Sequence, residues 1–128
     1  MTTQKPHRLG DLQLKIMKLL WQRKEASVHD ILAGLSTEQE LAYTTVATML
    51  RKMEARKLVS HRVEERSFIY QPAVPEESVT RNMADHLLER LFSGSVANLV
   101  SHLLTTREVS REELAKLEKI ISEKRRKK

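Results

Sequence analysis

Apolar side chains recur at positions 12, 16, 19 and 20 between Leu9 and Trp21 (LGDLQLKIMKLLW), and Met17 and Trp21 widen that stripe. The spacing predicts a helix with one buried face. Gly10 is its expected N-cap, Asp11 suits the positive end of its dipole, and Trp21 continues the buried face as a core anchor. After a break at 22–26, Ser27 reads as the N-cap of a short helix from Val28 to about Leu35, with Asp30 in its first turn. Val28, Ile31, Leu32 and Leu35 form its apolar face. Residues 36–42 lead into the stretch Leu41–Leu58 (LAYTTVATMLRKMEARKL), in which Val46, Met49, Leu50 and Met53 share one helical face. Thr44, Thr45, Thr48, Arg51 and Lys52 fall away from that face. A helix with an apolar back and a front of hydroxyls and cations suits the major groove of DNA, although an ordinary amphipathic surface helix has the same pattern.

The period changes after Lys57. Residues 58–63 (LVSHRV) and 67–71 (SFIYQ) are β-branched or aromatic runs around Glu64-Glu65-Arg66, which predicts a hairpin. Pro72 and Pro75 close it. Three helices followed by a hairpin is the order of a winged helix-turn-helix domain, here assigned to residues 1–74. Its wing tip runs from Glu64 to Ser67 and offers Arg62 and Arg66 as DNA-facing cations, opposed by Glu64 and Glu65.

Residues 75–128 are expected to be helical throughout. Glu76–Phe92 carries Val79, Met83, Leu87, Leu88, Leu91 and Phe92 at helical spacing, and Ser93-Gly94 breaks it. Ser95–Leu104 carries Val96, Leu99, Val100, Leu103 and Leu104. Ser110 and Glu113 form an S-x-x-E capping box that opens a last helix, with Leu114, Leu117, Ile120 and Ile121 on one face. Three such helices cannot enclose a core of their own, so their apolar faces need a partner. Docking on the winged helix would satisfy them. A symmetric dimer is favoured, because groove-binding helices gain by pairing on two half-sites. The expected fold is therefore mainly α with a small β-hairpin, a winged helix-turn-helix domain followed by a three-helix C-terminal dimerisation region.

Composition narrows the chemistry. The chain has 128 residues with 3 Gly, 3 Pro and no cysteine, which excludes disulfides, thiolate metal sites and cysteine nucleophiles and fits a cytoplasmic protein. Its start, MTTQKPHR, has no signal-peptide pattern, and no apolar run approaches a membrane span. The formal charge is +6, of which Lys124 to Lys128 supply five, leaving +1 for the rest. Such a tail is expected to be solvated and disordered. Within 44–62, Arg51, Lys52, Arg56, Lys57 and Arg62 face only Glu54, the one basic concentration in the folded part. There is no Gly-rich phosphate loop, no G-x-S-x-G and no HExxH, and none of His7, His29, His61, His86 and His102 pairs with another at helical spacing. No enzyme, metal site or cofactor is expected.

Several segments go beyond amphipathicity: L-K-I-M-K-L-L-W at 14–21, A-Y-T-T-V-A-T-M-L-R-K-M-E at 42–54, L-V at 58–59 and R-S-F-I-Y-Q-P at 66–72. With L-F-S-G-S-V-A-N-L-V-S-H-L-L at 91–104 and S-R-E-E-L-A-K-L-E at 110–118, the chain resembles the penicillinase-repressor family of bacterial winged-helix repressors from about Leu9 to Ile121. The resemblance implies a homodimer that blocks transcription from a palindromic operator, reads DNA at Thr44, Thr45, Thr48, Arg51 and Lys52, and dimerises through its C-terminal helices. In the antibiotic-responsive branch, a membrane metallopeptidase sensor triggers cleavage of the repressor. The resemblance puts the matching bond near His102-Leu103, where those relatives have Asn-Phe. The cysteine hooks of the copper-responsive branch are absent. Lys57 and Glu65 stand where the family usually has glycine, after the recognition helix and in the wing turn. A winged helix used only for protein interaction is the alternative function.

Overall fold

A computed structural model describes residues 9–35 and 41–127. Residues 36–40 of the expected interhelical connection, the basic start at 1–8 and Lys128 of the tail lie outside the described residues. The elements run α1 (Asp11–Arg23), β1 (Ala26–Ser27), α2 (Val28–Leu35), α3 (Tyr43–Ala55), β2 (Val59–Glu64), β3 (Ser67–Pro72), α4 (Glu76–Phe92), α5 (Val96–Thr106) and α6 (Arg111–Arg126). They divide into two compact units, the first ending at Ala84 and the second beginning at Asp85.

The first unit is a winged helix. The apolar stripes of its helices converge on one core: Ile16, Met17 and Leu20 from α1, Ile31 and Leu35 from α2, and Val46, Leu50 and Met53 from α3. Leu58, Val59 and Tyr70 close it from the hairpin side. Val46, Leu50 and Met53 sit at i, i+4 and i+7, so α3 buries one stripe and leaves the rest to solvent. Met49 is only half-buried and receives the Gln13 amide at its sulfur (3.4 Å). Trp21 anchors α1 by donating its indole N–H to the Val74 carbonyl (2.9 Å).

Local chemistry sets the element ends. Ser27 and Asp30 cap α2 reciprocally: the Ser27 hydroxyl accepts the Asp30 amide (3.1 Å) and the Asp30 carboxylate accepts the Ser27 amide (3.2 Å). That amide, with the adjacent hydroxyl, holds the Asp30 carboxyl below the usual carboxylate range. At the end of α3 the Leu58 amide reaches the Met53 carbonyl (3.0 Å) and the Lys57 amide that of Glu54 (2.9 Å). This pair of bonds is a Schellman closure, and it forces Lys57 to a left-handed φ of 66°. A lysine there bears a steric cost that glycine avoids, so Lys57→Gly is expected to stabilise the first unit by about 1 kcal/mol, read as a higher urea midpoint.

The sheet has three antiparallel strands in the order β1-β3-β2. Strand β1 lies in the segment read as a break: Ala26 pairs with Tyr70 and Ser27 with Ile69. Two residues carry no period of their own, and pairing alone makes them a strand. In the hairpin Glu64 faces Ser67, leaving Glu65 (φ 50°) and Arg66 (φ 71°) as a two-residue turn with both φ positive. That is the primed geometry that suits the twist of a hairpin, built here without glycine.

The second unit is helical. Ser95 caps α5 by accepting the Asn98 amide (3.0 Å), and Ser110 caps α6 by accepting the Glu113 amide (3.0 Å). None of the residues of α5 or α6 is buried. The basic tail departs from its expected disorder, since α6 continues to Arg126. Cations in a last turn interact favourably with the negative end of the helix dipole, and Glu112 and Glu113 do the same at the first turn. No helix among the described residues is long and apolar enough to cross a membrane.

Candidate nucleic-acid interface

Helix α3 carries the front expected from its sequence. Thr44, Thr45, Thr48, Arg51 and Lys52 are all exposed, while the opposite stripe is fully buried. Arg51 donates to the Thr48 hydroxyl one turn earlier (3.3 Å), which orders its guanidinium along the front. Arg56 is turned back and donates to the Gln13 side chain (3.3 Å), so it serves the α1–α3 contact.

The wing is fastened to α3 through a side-chain pair. Nδ1 of His61 on β2 lies 2.7 Å from Oε1 of Glu54 on α3. Phe68 on β3 stacks over the same imidazole, with ring centroids 4.0 Å apart. Tyr70 lies beneath, and burial pushes its hydroxyl pKa up, with the Glu54 carboxylate adding to the effect. Helix α3 and the wing are thus held in one relative position.

The two wing arginines have different fates. Arg62 forms a bidentate pair with Glu25 (2.7 and 3.1 Å) and also donates to Glu64 (3.3 Å). These carboxylates raise its pKa further, and its hydrogen bonds to Glu25 hold the Glu25 carboxyl below its ordinary value. Arg62 is therefore engaged by its own chain, chiefly by Glu25, 37 residues away in sequence and just past the end of α1. Arg66, at the turn itself, is exposed.

Arg51 and Arg66 meet at a cleft of about 480 Å³ lined also by His29, Tyr43, Ser67 and Phe68. His29 and Tyr43 form a ring pair at its α2 side, with centroids 4.8 Å apart. Thr44, Thr45, Thr48 and Lys52 lie outside it. Helical spacing alone does not reveal this wall. Tyr43, Ala47 and Arg51 do follow one another at i, i+4 and i+8, a stripe legible without coordinates. What that stripe faces was not legible.

The residues assigned to dimerisation are placed unevenly. Val79, a residue of the first unit, is only 1% exposed in the single chain and so offers a partner little surface. Met83, Leu99, Val100 and Leu117 are half-buried, and Leu87, Leu91, Val96, Leu103, Leu114 and Ile121 are exposed. Val100, Leu103, Leu104 and Leu117 border a concavity of about 530 Å³ between α5 and α6. The His102-Leu103 bond lies inside α5, with the Thr106 hydroxyl donating to the His102 carbonyl (2.8 Å). A peptide bond in a regular helix is a poor protease substrate until the helix opens. Among the described residues, no group of three His, Cys, Asp or Glu is placed to hold a metal ion.

Comparison with known proteins agrees with this geometry. The sequence profile of the family described as Penicillinase repressor matches residues 9–123. The penicillinase repressor of Bacillus licheniformis is 25% identical over 120 residues, covering 94% of each chain. The transcriptional regulator BlaI of Mycobacterium tuberculosis is 35% identical over 99 residues, 76% of this chain and 72% of that one. A solution structure of the DNA binding domain of the repressor BlaI superposes with a TM-score of 0.51 at 25% identity, covering 59% of this chain and 90% of that domain.

Proposed function

The chain belongs to the penicillinase repressor family, and from that premise we propose that it is a sequence-specific DNA-binding transcriptional repressor. It acts as a homodimer on a palindromic operator and is released by an inducing signal. The observation that carries this reading is the outer face of α3, where Thr44, Thr45, Thr48, Arg51 and Lys52 are all exposed over a fully buried stripe. Hydroxyls and amides can bond phosphates or base edges, and cations neutralise phosphates. The wing adds Arg66, which lines the same cleft as Arg51. Dimerisation is supported by a second unit whose last two helices have no fully buried residue within one chain and leave several apolar side chains exposed. The resemblance to antibiotic-responsive relatives supports relief through a membrane metallopeptidase sensor, with the matching cleavage region near His102-Leu103.

Fluorescence anisotropy with a labelled duplex, selected by the wild-type chain from a randomised library, tests the reading. Binding is expected to prefer the selected duplex over a scrambled one and to weaken steeply as salt rises from about 50 to 200 mM, because phosphate contacts release counterions. Equal weak binding to both duplexes would contradict it. Arg62→Ala is expected to change affinity by less than about fivefold, because it removes an exposed ion pair and no phosphate contact. A larger loss, with a smaller salt slope, would return Arg62 to the DNA surface.

A further inference from the structure

The cleft shared by α3 and the wing divides labour among the cations of this surface. We propose that it seats the sugar-phosphate backbone of one DNA strand, and that Arg51 is thereby a phosphate clamp working with Arg66, while base edges are met by Thr44, Thr45 and Lys52. The proposal rests on the DNA-binding reading and assigns roles within it.

Charge complementarity identifies the occupant. Arg51 from the recognition helix and Arg66 from the wing turn border one cavity of about 480 Å³, and no carboxylate is among its lining residues. Of the nearby acids, Glu54 pairs with His61 and both Glu25 and Glu64 pair with Arg62, while Glu65 precedes Arg66 in the exposed turn. The concavity is thus cationic because two guanidinium groups border it and no carboxylate does. Its other walls suit a sugar-phosphate chain. The Tyr43 and His29 rings and Phe68 offer flat apolar surface for deoxyribose, and Tyr43 and Ser67 supply hydroxyl donors. Two guanidinium groups converging from separate elements match an extended phosphodiester, whose charges repeat along the strand. A base edge is a single planar target, and an arginine reading one needs bidentate access to it. The 3.3 Å bond from Arg51 to Thr48 and the cleft wall beside it favour the backbone role. The Glu54–His61–Phe68 clasp fixes the wing on α3, so the distance between the two clamps is set before DNA arrives.

A base reader and a phosphate clamp respond differently to the same substitutions. Affinities of wild-type, Arg51→Ala, Arg51→Lys, Arg66→Ala and Thr45→Ala chains are measured for the selected and scrambled duplexes across a salt series. Arg51→Ala and Arg66→Ala are each expected to weaken both duplexes by a similar factor, roughly tenfold or more at low salt, leaving the selected-to-scrambled ratio unchanged. Each lowers the slope of log affinity against log salt by about 0.9, and Arg51→Lys, which keeps the charge, restores it. Thr45→Ala leaves the slope and lowers the ratio. Loss of the ratio in Arg51→Ala, or its failure to recover in Arg51→Lys with the slope intact, makes Arg51 a base reader and overturns the proposal. An unchanged slope in either alanine variant overturns it as well. A wild-type chain that shows no preference for its selected duplex overturns the DNA reading itself.

Discussion

On the proposed homodimer, Ile121→Glu is expected to yield a monomer and to lower operator affinity by about a hundredfold or more. Ile121 is 51% exposed in the single chain, on a helix with no buried residue, so a glutamate there costs the monomer little. In a twofold assembly the same position occurs twice, and burying two unpaired carboxylates outweighs the apolar contact they replace. Without the dimer, each winged helix binds its half-site alone and the effective-concentration advantage of roughly 10²–10⁴ is lost. Light scattering would report the halved mass, and anisotropy the weaker binding. A variant that stays dimeric would move the interface away from α6. A monomeric variant with wild-type affinity would separate dimerisation from DNA binding altogether.

The largest effect on stability is expected from Leu50→Ala. Leu50 is fully buried in the core built by Ile16, Leu20, Ile31 and Tyr70, directly behind the exposed Arg51 and Lys52. Truncation removes apolar contact and leaves a cavity that three helices and a sheet cannot fully close, a cost of about 3 kcal/mol. For a unit of this size that lowers the melting temperature by roughly 10–20 °C. Below the new midpoint, operator affinity should remain near wild type, because the front of α3 is untouched. Lys52→Ala is expected to do the opposite, keeping the melting temperature and weakening binding. Calorimetry beside anisotropy separates the two faces of one helix. A Leu50→Ala chain that melts like wild type would mean that α3 is not packed as described.

The contrast between those two residues was legible before any coordinates, because a 3.6-residue period assigns each position of Tyr43–Ala55 to one side or the other. Short-range chemistry was equally legible. Ser27, Ser95, Ser110 and Ser93-Gly94 mark helix boundaries through groups within a few residues of one another. The two positions lacking the family's glycine, Lys57 and Glu65, do adopt positive φ. Information distant in sequence was not legible. Strand β1 exists only through its pairing with β3, Arg62 is claimed by Glu25, and Val79 is buried although its spacing matched the exposed leucines that follow it. The cleft of Arg51 and Arg66 belongs to the same class, since it depends on where a hairpin lies against a helix.

Hydroxyl-radical footprinting of the wild-type chain on its selected duplex tests the repressor reading most directly. Two protected patches are predicted, related by a twofold axis and centred one helical turn of about 10 base pairs, or a multiple of it, apart. A folded dimer that leaves the duplex unprotected, or protects it uniformly without half-sites, would contradict the account and leave α3 as a surface for protein partners.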